Sequence, residues 1–274
     1  MVIYASSIGN YPITQLPDYP IPLPVSYRDL TTRDELAAVV ELERQIWGPG
    51  YDEVVPVPIL TVSVKRGGIL IGAFDDERMI GFVYSLPGIR KGRPTQWSHM
   101  LGVLQDYRAD GIGHRLKLMQ RDRTLAMGLD LIEWTFDPMQ ALNAHLNFAK
   151  LGVVVEEYEE NVYGESTSPL HKGNPTDRFI AEWWIREPRP QHDWSDARTV
   201  NHGTKVALDR RDARVVVEIP TGFTEMLLAA PDLALEWRMT TRELFTVYFS
   251  RGYRAVDFRL DRVARKGTYL LVRE

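Results

Sequence analysis

The chain has 274 residues, 44% of them hydrophobic, enough for a sizeable core in one large domain or in a standard domain with a smaller partner. Its 33 lysines and arginines against 37 aspartates and glutamates leave a net charge of −4, which argues against a nucleic-acid partner. The absence of cysteine excludes disulfides, thiolate zinc sites and a cysteine nucleophile. No stretch approaches the roughly 20 consecutive apolar residues of a membrane span, and the N-terminus lacks a signal-peptide pattern, so the expectation is a cytoplasmic chain without membrane contact.

Residues 1–24 hold Pro12, Pro17, Pro20, Pro22 and Pro24 among Tyr4, Tyr11 and Tyr19. They read as an extended arm, either a disordered leader or one that packs on the body or on a second subunit. Val25 to Leu30 alternates as a strand, and Thr31 or Thr32 can cap a helix running through Glu35 to Trp47, which Gly48-Pro49-Gly50 ends. Pro56 and Pro58 mark a loop. Residues 68–74 and 79–84 are two strands joined by a turn at 75–78, a hairpin. Residues 86–94 form a basic loop carrying Arg90, Lys91 and Arg93, and 95–104 form the next strand.

That strand feeds Arg108-Ala109-Asp110-Gly111-Ile112-Gly113-His114, after which Ile112, Leu116 and Met119 give a helix its apolar face. Two glycines allow a tight turn, and the helix begins with unpaired N–H groups, so the turn suits an anion. Further on, 130–136 is a strand and Met139 to Lys150 a helix stopped by Gly152. Residues 153–158 and 179–185 are strands, and 187–193 is the best linker. The expected domains are the arm 1–24, a body 25–190, and a smaller unit 200–274. That unit reads as strand (214–219), helix (about 232–251), strand (253–260) and strand (268–272). A faint echo between residues 148–152 and 249–252 is either chance helix capping or the trace of a partial copy.

The order of elements, and above all Val103-Leu-Gln-Asp-Tyr-Arg108-Ala-Asp-Gly111-Ile-Gly113, resembles the GCN5-related N-acetyltransferase (GNAT) superfamily over about residues 25–184. The resemblance implies an α/β (α+β) fold, a mixed, mostly antiparallel sheet flanked by helices. It also implies acyl-CoA as cosubstrate, acetyl-CoA or succinyl-CoA, and no metal. Arg108, Ala109, Gly111, Ile112, Gly113 and His114 then hold the diphosphate, and Leu101 and Val103 hold the pantetheine arm by their main chain. A looser second signature matches at Ala144, Lys150 and Gly152, while Ala141 stands where the family usually has an asparagine, with Asn143 and Asn147 as nearby cofactor-side amides. Phe148 stands where many members carry a tyrosine that protonates the leaving thiolate, and phenylalanine has no proton to give. Trp134 to Pro138, Asn143-Ala144, Tyr163-Gly164 and Pro175 to Arg178 resemble a two-part subgroup that includes amino-acid N-acyltransferases, some using succinyl-CoA.

Amine acylation needs a deprotonated amine and a route for protons. His99, before Val103, and Glu133, on the following strand, are candidate bases, the latter suited to a raised pKa among apolar neighbours. Their alternatives are a hydrogen-bonded strand histidine and an ion pair. Tyr163 is a candidate proton source. Asp137 is a substrate-side candidate or a turn and capping residue, and His145 reads as a partly exposed surface residue. Arg178 could receive a substrate carboxylate or pair with Asp177. The expected reaction is direct acyl transfer to the primary amine of a small metabolite, most suitably an amino acid. The rivals are a protein or peptide N-acetyltransferase and a non-catalytic acyl-CoA-binding regulatory module. A homodimer is the base-rate expectation.

Overall fold

The structure, a computed structural model, describes residues 25–48, 51, 53–108, 110–164 and 173–273. The arm 1–24, Pro49, Gly50 and Ala109 lie outside the described residues. The chain divides into two compact units, Met1–Ile132 and Glu133–Glu274. Its architecture is mixed α/β with a mostly antiparallel sheet and flanking helices, the fold class expected from the sequence.

The first unit opens with β1 (Val25–Asp29) and α1 (Arg33–Trp47). Thr32, not Thr31, is the N-cap. Its hydroxyl accepts from the Glu35 N–H at 3.4 Å while Glu35 accepts from the Thr32 N–H at 2.9 Å, a reciprocal pair that satisfies two donors no helix carbonyl can reach. Leu36, Val39, Val40, Ile46 and Trp47 form the buried stripe of α1, and Gly48, at φ +95°, ends it.

Pro56 and Pro58 do not hold the next segment as a loop. They start α2 (Val57–Lys65), because the first helical turn has no use for the N–H that proline lacks. The strands β2 (Ile69–Asp75), β3 (Arg78–Arg90) and β4 (Arg93–Val103) follow, and the order β1-β2-β3-β4 is antiparallel throughout. The expected basic loop 86–94 is instead the far end of the β3–β4 hairpin, where Arg90 pairs with Arg93 across Lys91 and Gly92. Both turn residues have positive φ, +48° and +82°, the geometry whose twist matches paired strands. A short 3₁₀ turn (Gln105–Tyr107) leads to α3 (Ile112–Ala126), which packs on β2, β3 and β4.

The division between the units falls within β5 (Leu131–Phe136), all six of whose residues are buried. The helix expected over 139–150 is α4 (Ala141–Ala144), continuing as a π-helical segment, His145–Leu151. Gly152, at φ +76°, terminates it. The unit continues through β6 (Val154–Glu159), β7 (Arg178–Trp184), β8 (Arg198–Thr199), β9 (Asn201–His202), β10 (Lys205–Val206) and β11 (Arg214–Pro220). It ends with α5 (Phe223–Ala229), α6 (Pro231–Ser250), β12 (Arg254–Asp261) and β13 (Lys266–Val272).

In this unit the strand order is β5-β7-β6-β12-β13-β11-β8. Segment 200–274 therefore extends the β6 edge, Ala255 pairing with Val155. The core is aromatic. Phe179 sits 4.5 Å from Phe245 and 5.5 Å from both Phe136 and Tyr269, ring edges meeting ring faces. Helix α6 covers it with Ala234, Arg238, Thr241, Phe245 and Tyr248 on one buried face.

Candidate functional site

In the first unit, the β3–β4 ladder shifts register between Tyr84/Met100 and Ser85/Ser98, leaving His99 as the extra residue of a β-bulge. A bulge re-aims side chains, and two contacts show the result. Ser98 accepts from Lys117 Nζ of α3 at 2.9 Å, whereas His99 lies edge-on to Tyr84 at 5.9 Å, whose hydroxyl donates to Ser63 of α2 at 2.5 Å. Adjacent residues thus address the two opposite helical layers of this unit. Burial lowers the His99 pKa to about 4, so its imidazole is neutral at pH 7.

Beyond the bulge, Leu101 and Val103 are buried, and the Val103 carbonyl accepts from Arg108 Nε at 3.1 Å. Arg108 thereby ties the start of the turn to the strand it leaves. Gly111 is the N-cap of α3 at φ +74°, a left-handed conformation that side chains disfavour, and no side chain caps the helix. A Cβ at Gly111 would meet no atom within 4 Å. The glycine is therefore fixed by backbone conformation and faces open space. Gly113, expected to precede the helix, lies buried with Ile112 in its first turn, and His114 is half-buried beside them. Arg90 and Lys91 are at the hairpin end, and Arg93 is bound to Asp130 at 3.0 Å.

In the second unit, Glu133 and Thr135 are both buried on β5, and the Thr135 hydroxyl is 2.8 Å from that of Tyr163. Tyr163 is 39% exposed, so its hydroxyl joins the buried strand to the surface. The Arg178 guanidinium lies 5.2 Å over the Tyr163 ring. Arg178 is itself buried and donates to the Asp177 carbonyl at 3.0 Å. Burial lowers its pKa, with the charge of Asp137 acting in opposition.

Asp137 accepts from both terminal nitrogens of Arg238 at 2.7 Å and from the Met139 N–H at 2.8 Å. Burial acts against its ionisation, but Arg238 and then Arg178 hold its pKa below the usual carboxylate range. Arg238 Nε also reaches Asn174 Oδ1 at 3.0 Å. Asp177 is paired with Arg242, through bonds of 2.9 and 2.7 Å, and accepts from the Tyr158 hydroxyl. The sequence reading missed both α6 arginines. Arg238 carried a signal, a charge in line with Ala234, Thr241 and Phe245 on an otherwise buried stripe.

Asn143 and Asn147 are both buried, and neither amide atom of Asn147 has a hydrogen-bond partner among the described residues. Phe148 is packed between Phe136 and Tyr269, at 6.2 and 5.7 Å. An aromatic core thus accounts for a ring without a hydroxyl there. His145 is half-buried, and burial lowers its pKa. Among the described residues no helix is long and apolar enough to cross a membrane, and no group of histidines and acids is arranged to hold a metal.

No protein-family model and no curated protein matches this chain. Among solved structures it is similar to a PaiA N-acetyltransferase from Thermoplasma acidophilum in complex with coenzyme A, at 18% identity and TM-score 0.42, covering 58% of this chain and 97% of that one. It is also similar to a GNAT-family acetyltransferase from Streptococcus pneumoniae (16%, TM-score 0.47, 58% and 98%). A third is the ribosomal-protein-S18-alanine N-acetyltransferase from Escherichia coli (15%, TM-score 0.45, 62% and 97%).

Proposed function

We propose that the chain is an acyl-CoA-dependent N-acyltransferase of the GNAT type, acting on the primary amine of a small metabolite. The observation that carries this reading is the left-handed, unobstructed Gly111 at the uncapped N-terminus of α3, directly downstream of the bulged β4. A diphosphate needs several N–H donors at close range with no side chain in the way, and the first turn of α3 meets both requirements.

In this mechanism the N–H groups of Ile112, Gly113 and His114 bind the diphosphate, while Leu101 and Val103 lie along the pantetheine arm. CoA supplies the acyl group as a thioester. The amine nitrogen attacks the thioester carbon, the C–N bond forms, the C–S bond breaks, and the thiolate departs with the electron pair and takes up a proton. His99, neutral at pH 7, and Glu133 are the candidate proton acceptors. Tyr163, whose hydroxyl links Thr135 to the exterior, is the candidate donor in place of Phe148.

We further propose an amino acid as acceptor, because Arg178, the cation stacked on Tyr163, suits a carboxylate. Acetyl and succinyl donors both remain within the reading. A thiol-release screen of acetyl-CoA and succinyl-CoA against L- and D-amino acids, polyamines and peptides tests it. Release with an amino acid supports the proposal, and release only with peptides transfers it to the protein-acetylating rival. Tight CoA binding without release from any acceptor favours the regulatory module.

A further inference from the structure

Helix α1 carries two buried polar atoms that nothing in the proposed mechanism uses. Glu43 is 0% exposed and Trp47 3%, one helical turn apart on the same face. Glu43 Oε2 accepts from the Val55 N–H at 2.9 Å, but Glu43 Oε1 and Trp47 Nε1 have no hydrogen-bond partner among the described residues. A buried acceptor and a buried donor left open one helical turn apart are each unfavourable unless a ligand completes them.

The surroundings of the pair are aromatic and closely packed. Trp47 stacks on Tyr51 at 5.5 Å and meets Phe82 edge-on at 6.0 Å, giving apolar walls. Trp47 also approaches β4, since a Cβ at Gly102 would lie 3.1 Å from its ring and 2.7 Å from Ile46. The Trp47 ring thus packs against the strand that carries Leu101 and Val103. Among the described residues, the groups known to act on Glu43 are these. Arg44 is its neighbour on α1, Val55 donates from the α1–α2 connection, and Tyr84, bonded to Ser63 of α2, stands opposite on β3.

We infer that Glu43 Oε1 and Trp47 Nε1 are the two polar contacts of an acceptor-binding site for a primary amine that carries a carbonyl or carboxylate oxygen beside it. The ammonium donates to Glu43, and the indole N–H donates to the neighbouring oxygen. Glu43 then takes one proton from the ammonium, leaving a neutral amine and a protonated carboxyl group. The second amine proton is lost as the C–N bond forms, and CoA thiolate takes it up. This inference rests on the acyltransferase reading and names a substrate contact for it. Burial raises the Glu43 pKa to about 7, so the group stands half-protonated near neutrality.

The test is calorimetric binding of glycinamide to the CoA-saturated protein at pH 7, in phosphate and in Tris, with propionamide as the control lacking an amine. Binding of a cation to a half-ionised carboxyl group releases about half a proton. Wild-type protein is expected to show that release, and Glu43→Gln to lose it with at least a tenfold weaker affinity. Trp47→Phe, which keeps the apolar ring, is expected to retain proton release while binding less tightly. Unchanged glycinamide binding in both variants, no proton release by wild type, or equal binding of propionamide would overturn the inference. CoA-induced stabilisation and thiol release, measured on the same preparations, report separately on the acyltransferase reading.

Discussion

Removing Arg238 exposes how strongly the second unit depends on one buried ion pair. Asp137 lies at the end of β5 with both carboxylate oxygens engaged at 2.7 Å, and the side chain of Arg238 is 1% exposed. Replacement by methionine fills similar volume but leaves a buried carboxylate beside Arg178 alone. Breaking a buried pair from one side costs about 3–5 kcal/mol, whereas replacing both partners with neutral groups costs far less. At about 2–4 °C per kcal/mol for a chain of this size, Arg238→Met should lower Tm by roughly 6–20 °C. Asp137→Asn combined with Arg238→Met should recover much of that loss.

The pH dependence carries the sign. In the wild type the folded pKa of Asp137 is depressed, so its contribution is present above the unfolded value of about 3.9 and is lost as pH falls through the folded value. In Arg238→Met, desolvation dominates and raises that pKa, so the penalty grows as pH rises above about 4 and fades below it. Differential scanning calorimetry of the wild type and both variants from pH 3.5 to 8 measures the effect. A loss under about 1 kcal/mol, or one that does not vary with pH, would refute the reasoning.

Burial of His99 gives a second pH effect. Its folded pKa of about 4 lies below the ordinary histidine value of about 6.5, so stability rises with pH between those limits, by up to about 3 kcal/mol. Urea titrations of His99→Asn should show a flatter acid limb, and an unchanged limb counts against the assignment. Phe148→Tyr, placing a hydroxyl among Phe136 and Tyr269, should destabilise by about 1–3 kcal/mol without increasing thiol release. A rise in turnover would mean that the ring edge faces the chemistry after all. Thr32→Ala removes the cap of α1 and should cost about 1 kcal/mol, read as a shift in denaturation midpoint at constant slope.

Local rules were enough wherever the determining residues are neighbours in sequence. Thr32 with Glu35, the alternation through β2 and β3, and the glycines at 111 and 152 each state their element within a few positions. The errors came where one residue type has two uses. Pro56 and Pro58 break a helix interior yet suit a helix start, and Lys91-Gly92 reads as a loop until both positive φ values close a two-residue turn. The π-helical segment at His145–Leu151 has no compositional mark, because its apolar spacing also satisfies an α-helix.

The candidate site was legible to a similar degree. The left-handed Gly111 that starts α3 could be read from spacing, but the engagement of Asp137 by Arg238, 101 residues away, could not. Nor could the pairing of Asp177 with Arg242 instead of the guanidinium of adjacent Arg178. Glu43 and Trp47 looked like ordinary members of an amphipathic helix, and their unmet hydrogen bonds become visible only once the neighbouring strands are in place.

The most direct test of the acyl-CoA assignment is the thermal stabilisation produced by CoA in wild-type protein, Gly111→Ala and Gly111→Glu. Saturation at 100 times Kd is worth about 2.7 kcal/mol, a rise of roughly 5–10 °C. Both substitutions strain the left-handed backbone at φ +74°, but only glutamate sets a long anionic side chain in the open space before α3. The expected result is a clear shift for wild type, most of it retained by Gly111→Ala, and none for Gly111→Glu. A wild-type protein that CoA and acetyl-CoA leave unshifted, or a Gly111→Glu protein that shifts as wild type does, would contradict the assignment.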